Sequence, residues 1–289
     1  MNSMREDAKY IYTRAIEAVL PDEAVRRALT GQSFPGRVIL VAAGKAAWRM
    51  ASAAKAALGG RIETGIVITK YDHVLSPIPG LICREAGHPV PDGNSFSATR
   101  EALALTETLT ADDTVLFLLS GGGSALFESP LVPGEELQDI TAQLLACGAD
   151  IVEINTIRKR LSAVKGGRFA QHCAPAQVFA VILSDIVGDP VDMIASGPVS
   201  PDSSTCADAL AAADKYALRL SDRARELLTR ETPKTADNVT VRITGSVREL
   251  CAAAAKACRG LGYAPEILTD REQGVAREVG ARLGALARE

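Results

Sequence analysis

The sequence has no long apolar run. Its longer ones, such as residues 178–183 and 115–119, fall far short of the ~18 needed to cross a bilayer. The opening MNSMREDAKY mixes acid and base around no apolar stretch, so it does not read as a secretory signal. The cytoplasm is the expected compartment, and no membrane is expected as a partner. Charge of one sign is lacking too: 32 Lys+Arg stand against 35 Asp+Glu, for a net charge of -3. No broad basic field offers itself to nucleic acid or anionic lipid. Histidine is scarce, with His73, His88 and His172 alone, and the six cysteines never form a CxxC pair. That spacing excludes the common zinc motifs and leaves the thiols reduced, mostly in the core.

What is present is material for a core. At 47% hydrophobic over 289 residues, disorder is excluded and there is room for about two domains. Short β-branched runs alternate with longer Ala/Leu-rich segments of helical period, the pattern of a parallel α/β sheet covered on both faces. Strands are expected at 37–41, 65–69, 114–119, 178–183, 239–243 and, more weakly, 266–268. Helices are expected at 4–20, 46–58, 94–108, 135–147, 205–215, 246–261 and 271–288, with Pro21 stopping the first. The apolar face of that opening helix, Ile11, Ala15, Ala18 and Val19, suits packing on the sheet or on the partner of a homodimer. Residues 232–238 have the Pro, Thr and Asn content of a linker. The division is therefore 1–231, then a β-α-β-α unit at 239–289 that either packs on the main sheet or begins a further domain.

Several strands end in a glycine or small polar turn followed by a helix, and in open α/β sheets that edge is where ligands bind. The strongest such turn is Ser120-Gly121-Gly122-Gly123-Ser124, whose glycines let backbone N–H groups approach an anion. It is no dinucleotide fingerprint, and no Walker A loop occurs anywhere. Gly44-Lys45 follows the first strand. A lysine at a helix start opposes the helix dipole, which favours a functional role near a transferring phosphoryl group. Residues 155–168 carry five cations around a Gly-Gly pair, with Arg158 and Lys165 on nearby faces if helical spacing persists and Ile157, Leu161 and Val164 as a buried stripe. The bland alternative is a solvated face. Asp185 and Asp189 end a strand, where carboxylates suit Mg²⁺ or a general base, or merely a turn before Pro190. Ser196 and Asp202 follow as secondary candidates. A glycine cradle, a strand-end lysine, a basic segment and paired aspartates suit phosphoryl transfer better than hydride transfer.

Four motifs in order, Gly87-His88-Pro89-Val90-Pro91-Asp92, the SGGGSA loop, EINTIRKRLSAVKGGR and SDIVGDPVDMIASGPVSPD, together with the early AAGKAA, resemble the glycerate 2-kinase family, some of whose members are labelled hydroxypyruvate reductases. The resemblance implies a three-layer Rossmann-like α/β sheet with flanking helices, followed by the beginning of a second α/β domain. It implies ATP-dependent, Mg²⁺-assisted phosphorylation of D-glycerate, with Lys45 as the key lysine. Ser120, Gly121, Gly122, Gly123, Ser124, Arg158, Lys165 and Ser196 would then lie among phosphate and substrate contacts. Asp185 or Asp189 would be metal ligand or base, and Arg160 is expected as a catalytic cation where the family often has His. The Gly-Gly-Glu-Thr and Gly-Arg-Asn-Gln-Glu stretches of the family's C-terminal domain do not occur, so the chain is expected to represent the N-terminal portion of such an enzyme. The competing readings are an incomplete enzyme that binds an anionic small molecule, and a hydroxypyruvate reductase.

Overall fold

Apolar runs become strands here because both sides of each are covered. β1 (Val38–Ala43) and β4 (Thr114–Leu119) are buried along their whole length, as are most positions of β2 (Ile62–Lys70) and β5 (Gln177–Leu183), while β3 (Ile82–Ala86) and β6 (Val239–Thr244) are the partly exposed edges. The computed structural model, which describes residues 3–288, joins them into one parallel sheet in the order β3-β2-β1-β4-β5-β6. This is a Rossmann-like order, reversing direction between β1 and β4.

Helices α1 (Met4–Ala18) and α2 (Pro21–Leu29) precede β1, α3 (Ala47–Leu58) joins β1 to β2, and α4 (Gly93–Leu105) joins β3 to β4. Between β4 and β5 come α5 (Gly123–Leu126), α6 (Gly134–Ala146), α7 (Ile151–Arg160) and α8 (Arg168–Cys173). Next are α9 (Cys206–Lys215) and α10 (Asp222–Leu228) before β6, then α11 (Val247–Gly260) and α12 (Ala276–Leu286).

Alternate residues of each strand serve two cores. Val41, Ala43, Phe117 and Leu119 pack with α4, α5 and α8 on one face, and Leu40, Ala42, Leu116 and Leu118 with α2 and α3 on the other. A third cluster is built mainly from α6, α7, α9 and α10, with Val132 and Leu218 from the adjoining loops. The entrance to β1 and β4 is pinned by a fork: Arg37 donates to the buried Asp113 carboxylate through Nε at 2.8 Å and Nη2 at 2.7 Å. Thr110 donates to the same carboxylate, and together they hold the Asp113 acid well below the usual carboxylate range.

Pro21 does not merely end α1. It starts α2, where its missing N–H costs nothing. β3 escapes hydropathy reading because ICREA is an edge strand with a charged face, on which Arg84 pairs with Glu101. No strand forms at 266–268. β6 is the edge of the sheet, and Ile267 and Leu268 lie exposed without a partner strand. The strand after residues 232–238 joins the main sheet, with Val239 in register with Val178. The opening helix packs against α11, with Ala15 buried. No helix among the described residues is long and apolar enough to cross a membrane.

Candidate functional site

At the strand-order reversal, the turns after β1 and β4 interlock. The Lys45 N–H donates to Gly121 O at 2.8 Å, and the Ser120 N–H to Ala43 O at 3.0 Å. Ala46 begins α3 without a side chain able to cap it, so Ser120 Oγ accepts its N–H at 3.0 Å. Ser120 is thus buried and committed to shaping the lysine turn. The packing leaves no room for side chains. Gly44 has φ of 123°, and a Cβ there would collide with Ser120. A Cβ on Gly121 would meet the Asp185 carboxylate, one on Gly122 would stand 3.0 Å from His88 Nε2 and 3.1 Å from Lys45 Cγ, and one on Gly123 would press on Ala195. The three glycines therefore sit beneath a crown of Lys45, His88 and Asp185, brought from the ends of β1, β3 and β5. Lys45 and Asp185 are exposed and enter none of the ion pairs among the described residues.

The sequence offers His88 as a scarce histidine and as part of a motif, and its place beside Lys45 and Gly122 follows from β3 lying two strands from β1. Partial burial, then the charges of Lys45 and Lys70, lower its pKa, which keeps the imidazole neutral near pH 7.

The basic segment divides sharply. α7 stops at Arg160, and Lys165 arrives by a turn rather than by helical spacing, with Gly166 and Gly167 at φ of 59° and 82°. Arg158 and Lys165 nonetheless meet, since Arg158 Nη2 and Lys165 Nζ both donate to Ser124 O, at 2.8 and 3.0 Å. Arg158 keeps partial exposure. Lys165 is wholly enclosed and also donates to Phe127 O at 3.1 Å, and burial lowers its pKa to about 8. Lys165 therefore buttresses the glycine loop from behind and has no surface for a substrate.

Arg160, expected at the site, is buried elsewhere. Its Nη1 and Nη2 donate to Thr156 O, Ser204 Oγ and Ser204 O, each at 2.9 Å, and it pairs with Asp202 at 3.6 Å. Ser196 is likewise enclosed, its hydroxyl donated to Asn155 Oδ1 at 2.8 Å. The two aspartates also part company. Asp185 stands over Gly121, whereas Asp189, at φ of 55°, lines a small recess with Ile186, Val247, Arg248 and Arg271. Among the described residues no cluster of three or more His, Cys, Asp or Glu side chains could hold a metal by itself. A single free carboxylate facing an anion cradle does fit Mg²⁺, which is usually held by one or two carboxylates plus substrate phosphates.

The strand ends thus bring together one free ammonium, a neutral imidazole, a free carboxylate and glycine backbone, braced by buried cations. The family described as "Domain of unknown function (DUF4147)" matches residues 7–229. The D-glycerate 2-kinase of Thermotoga maritima is 48% identical over 289 residues, spanning 99% of this chain and 69% of its own length. The glycerate kinase of Homo sapiens is 36% identical over 99% of this chain and 61% of its own length. The crystal structure of the Thermotoga maritima glycerate kinase superposes with a TM-score of 0.94 at 47% identity, covering 99% of this chain and 70% of that one. The chain therefore spans between six and seven tenths of these relatives, and over that span it belongs to the glycerate 2-kinase family.

Proposed function

We propose that the chain carries the phosphoryl-transfer site of an ATP-dependent D-glycerate 2-kinase. The observation that carries this is the meeting of Lys45 with the Ser120–Gly123 loop at the carboxyl edge of β1 and β4. Phosphoryl transfer asks a protein mainly for positioning and charge neutralisation, and these are what the strand-end cluster supplies. Lys45, a mobile point charge, would neutralise the transferring group, while the loop's backbone leaves room for phosphate oxygens. Asp185 would hold Mg²⁺, which when bound would neutralise charge on the phosphates. The neutral His88 can accept a proton from the acceptor hydroxyl within hydrogen-bond reach. Arg158 would add positive charge at the loop's far end.

The dinucleotide reading is disfavoured by the topology. In that fold the glycine fingerprint lies in the first β-α turn, and here that turn is Ala-Ala-Gly-Lys-Ala-Ala, the glycine run following β4 instead. The test is formation of 2-phosphoglycerate from D-glycerate and ATP with Mg²⁺, by the chain alone and with the remaining portion of the Thermotoga relative added in trans. Turnover lost in Lys45→Met supports the proposal, and absence of product in both arrangements overturns it. The alternative is a chain that binds an anionic small molecule without turnover of its own. Calorimetric titration showing glycerate or ATP binding without product in either arrangement would select it.

A further inference from the structure

Glu128 follows α5 and its side chain is wholly enclosed. Its backbone N–H donates to Thr99 Oγ1 at 3.0 Å, but neither carboxylate oxygen accepts a hydrogen bond. What faces it is charge: Lys165 Nζ at 3.4 Å and Arg158 Nη2 at 3.7 Å. A buried carboxylate without hydrogen bonds is costly, and so are two buried cations pressed together. Neither cation directs its hydrogen bonds at the acid. Both converge on Ser124 O, while Lys165 also reaches Phe127 O and, at 3.5 Å, Ala195 O. Ala195 is the residue whose side chain a Cβ on Gly123 would strike, and it opens a run of left-handed residues, Ala195, Ser196 and Gly197, at φ of 51°, 61° and 65°. Such a run persists only where its surroundings over-determine it. Gly166 and Gly167 hold it by donating to Ser196 O at 3.0 Å and Gly197 O at 2.7 Å.

We propose that Glu128 is a positioning residue, the buried counter-charge that lets Arg158 and Lys165 converge on the Ser124 carbonyl and thereby locks the glycine loop to the 194–197 turn. It makes no contact with substrate. Only its kinetic consequence rests on the kinase reading. The electrostatic claim stands on the buried cluster itself.

The test is a double-mutant cycle of Glu128→Gln, Lys165→Met and both together in the full chain, read by urea unfolding midpoint. Glu128→Gln keeps shape and removes only charge, so it lowers the midpoint, and adding Lys165→Met recovers part of the loss. A double variant no more stable than Glu128→Gln overturns the proposal, whether or not turnover is measurable. The positioning role has its own readout. The charged groups that face Lys165 are Glu128 and Arg158. Without Glu128, the alkaline limb of the pH–rate profile moves to lower pH by about one unit or more. An unmoved limb in an active Glu128→Gln protein refutes positioning. Should the wild-type chain show no turnover in either arrangement, the kinase reading fails, and the unfolding cycle alone decides this one.

Discussion

The backbone N–H of Lys45 donates to the carbonyl of Gly121 at 2.8 Å, so the turn leaving β1 and the turn leaving β4 form one hydrogen-bonded unit. The lysine head group stays exposed while its backbone is held from across the sheet. Lys45→Met should therefore leave the unfolding midpoint nearly unchanged, within about 0.5 kcal/mol, as for other exposed positions. Turnover should fall by about 10²- to 10³-fold, the usual loss when one group that stabilises a developing charge is removed. Steady-state kinetics beside thermal unfolding will show the split.

The glycines on the two sides of that bond should respond differently. Gly44→Ala forces a side chain into φ of 123° and against Ser120, so it should destabilise the fold by more than about 1 kcal/mol. In Gly121→Ala the new methyl meets the exposed Asp185 carboxylate, which can move. Stability should be nearly retained, while the Mg²⁺ concentration for half-maximal rate should rise severalfold.

Arg160→Met tests whether this buried cation serves the chemistry. Asp202 would lose one of its two close cations, Lys159 at 3.0 Å being the other, and Ser204 two of the hydrogen bonds it accepts. A loss of about 3 kcal/mol is expected from breaking such a buried pair. The folded fraction should turn over at close to the wild-type rate, and a drop in kcat by orders of magnitude would return Arg160 to the site.

Lys165 makes a pH prediction whose sign is unusual for a lysine with an acidic neighbour. Burial lowers its folded pKa to about 8 from the ordinary 10.5. Between those values the unfolded chain binds a proton that the folded chain does not, so the Lys165 contribution to stability rises with pH across that window. The cost of burying the charge, about 3 kcal/mol, is fully present below pH 8 and is relieved as pH approaches 10.5. Unfolding of wild type and Lys165→Met compared from pH 7 to 10 should show the wild type gaining on the variant, since tyrosines and other lysines cancel in the difference.

Much of this was legible in the chain. Strands β1, β4 and β5 announce themselves because burial on both faces demands unbroken apolar residues, and Ser120–Gly123 because three glycines have little other use after a buried strand. β3 was not legible, since an edge strand with Arg84 and Glu85 pays no penalty for polar positions. His88 was visible only as a scarce histidine and as part of a motif, and Glu128 gave no local sign at all.

The sequence by itself determined the parallel α/β class, every strand of the sheet but β3, and the placing of Lys45 and the glycine run at the ends of two of them. What tertiary structure alone decided is which charges are free. Lys45, Arg158, Arg160 and Lys165 look alike as letters, yet one is open, one half-open and two are enclosed. The reason is physical. A cation's availability depends on the carbonyls and carboxylates around it, and Ser124, Glu128, Ala195, Asp202 and Ser204 reach these side chains across sequence separations that no local pattern encodes.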